Sequence, residues 1–425
     1  MFHRYPSASP LRPEQRGGSP SHRLPDGGRA VLKSWRLLPL FLFSTLLAGC
    51  GAASPQESLV LWHSWGGSEL TALKASLRAY QKQHPEIEVV ALQVPSDRLQ
   101  DKYVRSSAAN GGPDLLIGNT DWIGKFCQSG VIDPLDNVFE QAFLERFQPI
   151  SLETLHYQGH LYAIPESLET AALFYNKALM PTPPRTIDEL FRRAKNGPSV
   201  AIAFNTQFFY AAGYMFGFGG RLMNEQGLIE VASPGSARWL RFLSQMNKNP
   251  KMVAKSDYGK ADALFRERKA ACTVNGPWAL KDYQAALGKD LGVAMLPRVG
   301  TKNAAPFVGI KCFMFNPNSS KKNRAMALEF TRFFTEKENM ERMLKEAGHI
   351  PAVKTVTPVK GSPLSFFAQQ ALVGTPLPAG PEMREVWTPM DRVIEEVYSN
   401  AKSPEKALSD AQALIRARVD EVKKQ

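Results

Sequence analysis

The chain has 425 residues, 44% of them hydrophobic, which is the composition of a globular protein and too great a length for one ordinary core. Its formal charge is +12, but residues 1–50 contain seven Lys and Arg against two acidic residues, which leaves +7 for the rest. Because the remaining basic residues are interspersed with acidic ones, they indicate solvated faces and do not favour a nucleic-acid-binding surface. We therefore expect a leader, two folded lobes and no nucleic-acid partner.

The leader contains an apolar run, Leu37–Leu47, that is about half as long as the roughly 20 residues a membrane-spanning helix needs. Such a run is typical of the hydrophobic region of a signal peptide, and the basic residues expected before it are present at Arg29, Lys33 and Arg36. It ends in Leu47-Ala48-Gly49-Cys50, which resembles a bacterial lipobox. We interpret residues 1–49 as a disordered leader and signal peptide and Cys50 as the lipidated first residue of the mature protein. The alternative is a free cysteine after a chance apolar run.

The strand and helix patterns begin at Leu59 and alternate. In chain order the predicted elements are a strand at Leu59–Trp62, a helix from Leu70 that ends before Pro85, a strand at Ile87–Ala91, a helix at Asp97–Asn110, a strand at Asp114–Ile117 and a short helix that closes at Gly130. Repeated strand and helix units of this kind predict an α/β fold with a largely parallel sheet.

A second set of elements follows residue 170. It comprises a helix with a capping box at Thr186 and Glu189, a strand at Ser199–Phe204, a helix opened by Ser233-Pro234, strands at Lys269–Val274, Leu291–Leu296 and Val308–Phe315, and a last helix opened by Ser403-Pro404. These elements predict a second α/β lobe.

Three cysteines remain after Cys50, namely Cys127, Cys272 and Cys312. An odd number cannot all pair with one another, and no CxxC spacing indicates a metal site. Cys272 and Cys312 both lie in strand-like runs, so they form either one disulfide or, as we favour, two free buried thiols. We expect neither a metal nor another cofactor.

Tryptophans at loop positions beside predicted strand ends are the clearest candidate binding residues. They are Trp62, Trp65, Trp122, Trp278 and Trp387. The flat face of an indole attracts the C–H edges of a sugar ring, while carboxylates and amides bind the hydroxyls. The signatures GxSxG, HExxH and GxxxxGK[ST] are absent, which argues against an enzyme, although Asp121, Glu166 and Glu169 could supply the paired carboxylates of a glycosidase.

The segments around these residues resemble the extracellular sugar-binding proteins that include the maltodextrin-binding proteins. The resemblance covers nearly all of the chain after Leu59. It is carried by PDLLIGNTDWIGKFCQSGVIDPLD from Pro113, YQGHLYAIPESLETAALFYNKALMPTPPRTIDEL from Tyr157, VNGPWAL from Val274, PFVGIKCFMF from Pro306 and, more weakly, VWTPMDRVIEEV from Val386.

This resemblance implies a two-lobed periplasmic-binding-protein fold, with the ligand in the cleft between the lobes. Lobe 1 would comprise residues 55–167 and 312–358, and lobe 2 residues 168–311 and 359–425. The chain would cross between them near 166–171, 307–313 and 357–363. It also implies an extracytoplasmic, monomeric protein that delivers its ligand to the permease of an ABC importer.

Site residues are implied by the same resemblance. Asp121 and Glu169 match the acids that bind sugar hydroxyls, Tyr210 matches a cleft aromatic, and Trp278 and Trp387 match stacking platforms. The chain departs from the enteric maltodextrin binders in several places. Its first loop, WHSWGGS, lacks their acidic and basic pair, Trp122 and Gly118 replace a basic residue and a tryptophan, and Asp391 stands where an arginine is expected, with Arg392 adjacent.

The ligand expected from this combination is an α-glucoside such as maltose, maltodextrin or trehalose. Another polyol, glucosylglycerol or glycerol phosphate is an alternative ligand, since the differences from the enteric maltodextrin binders affect residues that determine ligand specificity. A sensor that signals ligand occupancy to a membrane partner and a secreted glycosidase are the alternatives from other functional classes.

Overall fold

The computed structural model describes residues 57–224 and 228–424, and these belong to one compact unit. The predicted signal peptide, the lipidated Cys50 and the rest of the leader lie outside the described residues. In the part of the chain that the structure describes, no helix has the length and apolar character needed to cross a membrane.

Helices and strands alternate along the chain. The first part contains β1 (Glu57–His63), α1 (Gly67–Gln83), β2 (Ile87–Gln93), α2 (Ser96–Ala108), β3 (Leu115–Asn119), α3 (Ile123–Gln128), α4 (Gln141–Leu144), α5 (Pro149–Glu153), β4 (His156–Tyr157), β5 (His160–Leu161) and β6 (Ile164–Glu169). The middle part contains β7 (Ala172–Asn176), α6 (Ile187–Asn196), β8 (Ile202–Asn205), α7 (Phe208–Gly217), α8 (Pro234–Lys248), β9 (Met252–Lys255), α9 (Tyr258–Arg266), β10 (Cys272–Asn275), α10 (Leu280–Leu287) and β11 (Leu291–Ala294). The last part contains β12 (Phe307–Phe315), α11 (Lys321–Phe334), α12 (Lys337–Arg342), β13 (Ile350–Pro351), α13 (Pro363–Leu372), β14 (Thr375–Pro376), α14 (Glu382–Tyr398) and α15 (Pro404–Lys424).

Two sheets form the centres of two lobes, so the predicted two-lobed α/β architecture is confirmed. The sheet of lobe 1 has the strand order β13-β6-β12-β3-β1-β2, with β14 beside β12. The sheet of lobe 2 has the order β11-β7-β10-β8-β9. In each lobe the sheet is covered by helices, and the interior is filled by apolar side chains such as Leu61, Phe126 and Phe313 in lobe 1 and Phe204 and Trp239 in lobe 2.

Strand directions correct one prediction, because the sheets are mixed and not largely parallel. In lobe 1, β1 runs parallel to β2 and β3, whereas β12 is antiparallel to both β3 and β6. In lobe 2, β8 runs parallel to β9 and β10, whereas β7 is antiparallel to β10 and β11. The parallel pairs come from local strand-helix-strand units, and the antiparallel pairs arise where the chain crosses between lobes.

The chain crosses from lobe 1 to lobe 2 between Glu169 and Ala172 and returns at Phe307. The backbone pair Gly309–Glu169 joins β12 to β6, so both strands stay in the sheet of lobe 1 up to the crossing points. The expected boundaries at 167 and 312 therefore fall inside these two strands. Helix α13, in the third connection, contacts β7 and β11 of lobe 2 and also β13 of lobe 1.

Local helix signals agree with the structure. The Thr186 hydroxyl caps α6 by accepting from the Glu189 amide at 3.2 Å, while the Glu189 carboxylate accepts from the Arg185 amide at 2.7 Å instead of closing the expected box on Thr186. Ser233 caps α8 through the Ser236 amide at 3.2 Å. Such side-chain caps satisfy backbone donors that have no partner inside the helix.

The described cysteines are free thiols, as favoured from the sequence. Cys272 lies in β10 of lobe 2 and Cys312 in β12 of lobe 1, and both are buried. The Cys312 thiol donates to the Gly118 carbonyl at 3.7 Å.

Candidate ligand-binding cleft

Two acidic side chains of lobe 1 lie at strand ends that face lobe 2. Asp121 is in the 3₁₀ turn Thr120–Trp122 that follows β3, and Glu169 is the last residue of β6. Ligands of open α/β sheets collect beyond strand ends, because side chains there are held by a rigid sheet but remain accessible.

Lys311 of β12 lies between these carboxylates. It is paired with Asn119 at the end of β3 and with Ser167 in β6, and its Nζ lies 3.4 Å from Glu169 Oε1. The side chains are only 16% and 21% exposed, so solvent screens this ion pair weakly.

Charges around Lys311 shift its own protonation and that of Asp121. Burial would lower the pKa of Lys311, but the carboxylates of Glu169 and Glu69 outweigh it, and the pKa is raised. Burial, together with the Glu169 charge, raises the pKa of Asp121 to about 6 against the opposing effect of hydrogen bonds. Asp121 is therefore mostly ionised at neutral pH and can accept hydrogen bonds from a ligand.

Beneath this surface, His349 is held between two carboxylates. Its Nδ1 lies 2.9 Å from Glu166 Oε1 and its Nε2 lies 3.0 Å from Glu69 Oε1. Burial favours the neutral ring, but the two acids overcome it and raise the pKa of His349 to about 10. Glu166 reaches His349 from a β-bulge, since Lys311 pairs with Ser167 and the next residue of β12 pairs with Pro165.

Lobe 2 contributes a cluster of aromatic side chains. Tyr210 of α7 lies 6.0 Å from the ring of Tyr258 and 5.2 Å from that of Phe209, and Phe209 lies 6.2 Å from Trp278. Burial raises the pKa of Tyr210, and the charge of Glu169 in lobe 1 adds to this effect. The Tyr210 hydroxyl is therefore neutral and lies within electrostatic range of an acid on the opposite lobe.

Trp278 lies in the 3₁₀ turn Pro277–Ala279 after β10 and is partly exposed. Its ring rests directly on Gly276, where an added Cβ would come within 2.1 Å of the indole carbons. A residue with any side chain at Gly276 would displace the ring, so this glycine sets the position of the indole face.

Trp387 of α14 joins the two lobes at the site. Its ring lies edge-on to Phe208 and Phe307 at 6.0 and 5.7 Å, and its indole is near enough to Asp121 to oppose the rise in the pKa of that carboxyl. A tryptophan of lobe 2 thus lies near a predicted ligand-binding acid of lobe 1.

The defining sequence pattern of the bacterial extracellular solute-binding proteins matches residues 75–365, more than half of the chain. The chain belongs to this family. It is 29% identical to a maltotriose-binding protein of Pyrococcus abyssi, over 89% of this chain and 83% of the relative. It is 26% identical to a galactooligosaccharide-binding protein of Bacillus subtilis, over 88% and 94% of the two chains. The solved structure of a Thermus thermophilus maltotriose-binding protein with maltotriose matches with a TM-score of 0.75 and 27% identity, covering 85% of this chain and 100% of that one.

As a member of the extracellular solute-binding family, the protein is similar to binding proteins and not to enzymes, and its place is outside the cytoplasm. The structure brings together five of the residues singled out from the sequence. These are Asp121, Glu169, Tyr210, Trp278 and Trp387.

Four other predicted site residues lie elsewhere or present little surface. Trp65 is 1% exposed and packs edge-on against His349, so it presents almost no surface to a ligand. Arg392 is exposed and its Nε lies 2.9 Å from Glu396 Oε1 on the same helix. Trp62 and Trp122 are 8% and 7% exposed, and the Lys102 Nζ lies 4.4 Å above the Trp62 ring.

Sequence reasoning missed several residues that the structure places at the cleft. Tyr258 is 37% exposed beside Tyr210, and its position just after β9, at the start of α9, is a signal of the kind used for Trp278. Lys311, Glu69 and His349 gave no signal, because each depends on partners distant in the chain. Among the described residues, no group of three or more His, Cys, Asp or Glu side chains is arranged to hold a metal ion.

Proposed function

We propose that this protein is the solute-binding component of an ABC-type importer and that its ligand is a neutral α-glucoside, such as maltose, a maltodextrin or trehalose. The observation that carries the proposal is the proximity of Trp387 of lobe 2 to Asp121 of lobe 1, beside Glu169. It marks the place where acceptors from one lobe meet aromatic faces from the other.

The chemistry of this meeting point suits a sugar. Ionised carboxylates accept hydrogen bonds from hydroxyl groups, and the neutral Tyr210 hydroxyl can donate or accept. Partly exposed aromatic faces such as Trp278 cover the apolar faces of a pyranose ring. The relatives named for maltotriose and galactooligosaccharide support an oligosaccharide ligand, and those two names leave the particular sugar to experiment.

Transport requires the protein to signal that it is loaded, and the two-lobed fold offers a means. A ligand that contacts Asp121 on one lobe and Trp278 on the other binds the closed arrangement better than an open one, and so shifts the population toward closure. The connections at 169–172 and around 307 are the segments about which the lobes would rotate.

The protein is proposed to act as a monomer anchored to the membrane by lipid at Cys50. The motif Leu47-Ala48-Gly49-Cys50 and the apolar run before it support this anchor. The permease of the importer is then the expected protein partner. A role in sensing differs only in that partner, and permease genes beside the gene for this chain favour transport.

Isothermal titration with maltose, maltotriose, maltotetraose, trehalose, lactose and galactotriose tests the ligand class. We expect saturable binding of at least one α-glucoside, lost on Trp387→Ala and retained in Arg392→Ala, a matched change on the exposed side of the same helix. Binding of no α-glucoside would refute the proposal. Release of glucose from maltotriose during the titration would instead favour a glycosidase that uses Asp121 and Glu169.

A further inference from the structure

The cleft contains more acidic than basic side chains. Four carboxylates, those of Glu69, Asp121, Glu166 and Glu169, lie within electrostatic range of Lys311 or of its immediate partners. Two buried cations, Lys311 and His349, lie next to these carboxylates. His349 is already engaged by both Glu69 and Glu166, so it lies below the cleft and is not available to a ligand.

Lys311 is the cation that remains at the surface of the cleft. Its Nζ carries three donors, and one carboxylate oxygen of Glu169 lies 3.4 Å away. With 16% of its side chain exposed, Lys311 can direct another donor toward a ligand held between Asp121 and Glu169. The Glu169 carboxylate is in turn fixed in orientation by the ammonium group.

We propose that Lys311 is a specificity-determining residue of this cleft: it donates to a ligand hydroxyl and orients Glu169, within a negatively charged surround that admits uncharged polyhydroxylated ligands and excludes phosphorylated or carboxylated sugars. This inference rests on the proposed function, because it concerns the same cleft.

The charge balance supports the exclusion. A phosphate or carboxylate on the ligand would enter beside Asp121, Glu169 and Glu69, with a single accessible ammonium group that is already paired. Like charges close together in a poorly solvated site are costly, whereas hydroxyl groups meet acceptors and a donor that are already in place. A glycerol phosphate or sugar phosphate is therefore outside the ligand class.

The first test compares two matched pairs of ligands by isothermal titration of the wild-type protein. Maltitol and maltobionate differ by one carboxylate, and trehalose and trehalose 6-phosphate differ by one phosphate. In each pair whose neutral ligand binds, we expect the neutral ligand to bind at least roughly tenfold more tightly than the anionic one. Equal or tighter binding of the anion would overturn the inference.

The second test replaces the ammonium group. Lys311→Met should lower the affinity for the tightest-binding neutral sugar by about tenfold to a hundredfold, because the ligand loses a hydrogen-bond donor and Glu169 loses its partner. Lys311→Arg should retain most of the affinity. Lys322→Met, which breaks an exposed ion pair with Glu57, is the control for a loss of positive charge and should bind as the wild type does.

A Lys311→Met variant that fails to fold would not end the test, since Lys311→Met with Glu169→Gln removes both buried charges together. The double variant should fold, melt near the wild-type temperature and still bind the neutral sugar at least about tenfold more weakly. Wild-type affinity in a folded Lys311→Met variant, alone or combined with Glu169→Gln, would refute the inference and leave the proposed function standing. Failure of every neutral sugar to bind the wild-type protein would refute both.

Discussion

The buried His349 should make the stability of this protein fall as the pH rises above neutrality. Its pKa is about 10 in the folded protein against an ordinary value of 6.5, so the folded state retains a proton that the unfolded chain releases. The resulting stabilisation is complete below about pH 6.5 and is lost as the pH rises through 10. The difference of about 3.5 pH units corresponds to about 5 kcal/mol, or about 1.4 kcal/mol for each pH unit within this window.

Urea unfolding followed by tryptophan fluorescence measures this effect. The useful range is pH 7.0 to 8.0, because at higher pH the thiols of the unfolded chain, whose ordinary pKa is about 8.5, ionise substantially, whereas burial raises the pKa of Cys272 to about 12 in the folded protein. The wild-type free energy of unfolding should fall by about 1 kcal/mol over this range because of His349.

The control variant combines Glu166→Gln with His349→Gln, which replaces the buried ion pair by neutral groups that can still hydrogen bond. It should lose little stability over the same range. Parallel wild-type and variant profiles would show that His349 does not hold an extra proton in the folded protein, and the reasoning from its two carboxylate contacts would fail.

Three further predictions concern the ligand site, closure and the anchor. Trp278→Ala should weaken sugar binding by roughly tenfold to a hundredfold while lowering the melting temperature less than loss of a core tryptophan would, and a badly destabilised variant that binds normally would contradict the stacking role. Small-angle scattering should give a smaller radius of gyration with a saturating sugar that the titration has identified, and an unchanged profile would argue against closure. Cys50→Ala should leave unprocessed precursor or a released protein in cell fractions, and membrane-bound protein of the wild-type processed mass would refute the anchor.

Local sequence features predicted the elements well, because the interactions that decide them are themselves local. Thr186 and Ser233 cap their helices through residues three positions further on. The direction of β12 was beyond such reasoning, since its partners in β3 lie about 190 to 200 residues earlier in the chain. Patterns of apolar residues indicate that a strand exists but not which way its neighbours run.

The residues of the candidate site were likewise predicted only where the signal was local or lay in a family-like segment. Asp121 and Glu169 were found because they lie within segments that resemble a known family. Trp65 was assigned to the ligand surface because it precedes two glycines, and its burial is decided by Phe334 and His349, far along the chain. Lys311 lies in an otherwise apolar run, where nothing nearby indicates its ion pair with Glu169.

The position of β12 in the sheet of lobe 1 has a consequence for the order of folding. During synthesis, β3 and β6 emerge long before Phe307–Phe315, the strand that lies between them. Until it arrives, both have unpaired backbone edges that favour association with other chains. Pairing across so many residues carries a large loop-closure cost, and proteins dominated by distant contacts fold slowly. Lobe 1 therefore begins first on the ribosome but can be completed only after the whole of lobe 2's sheet has been synthesised.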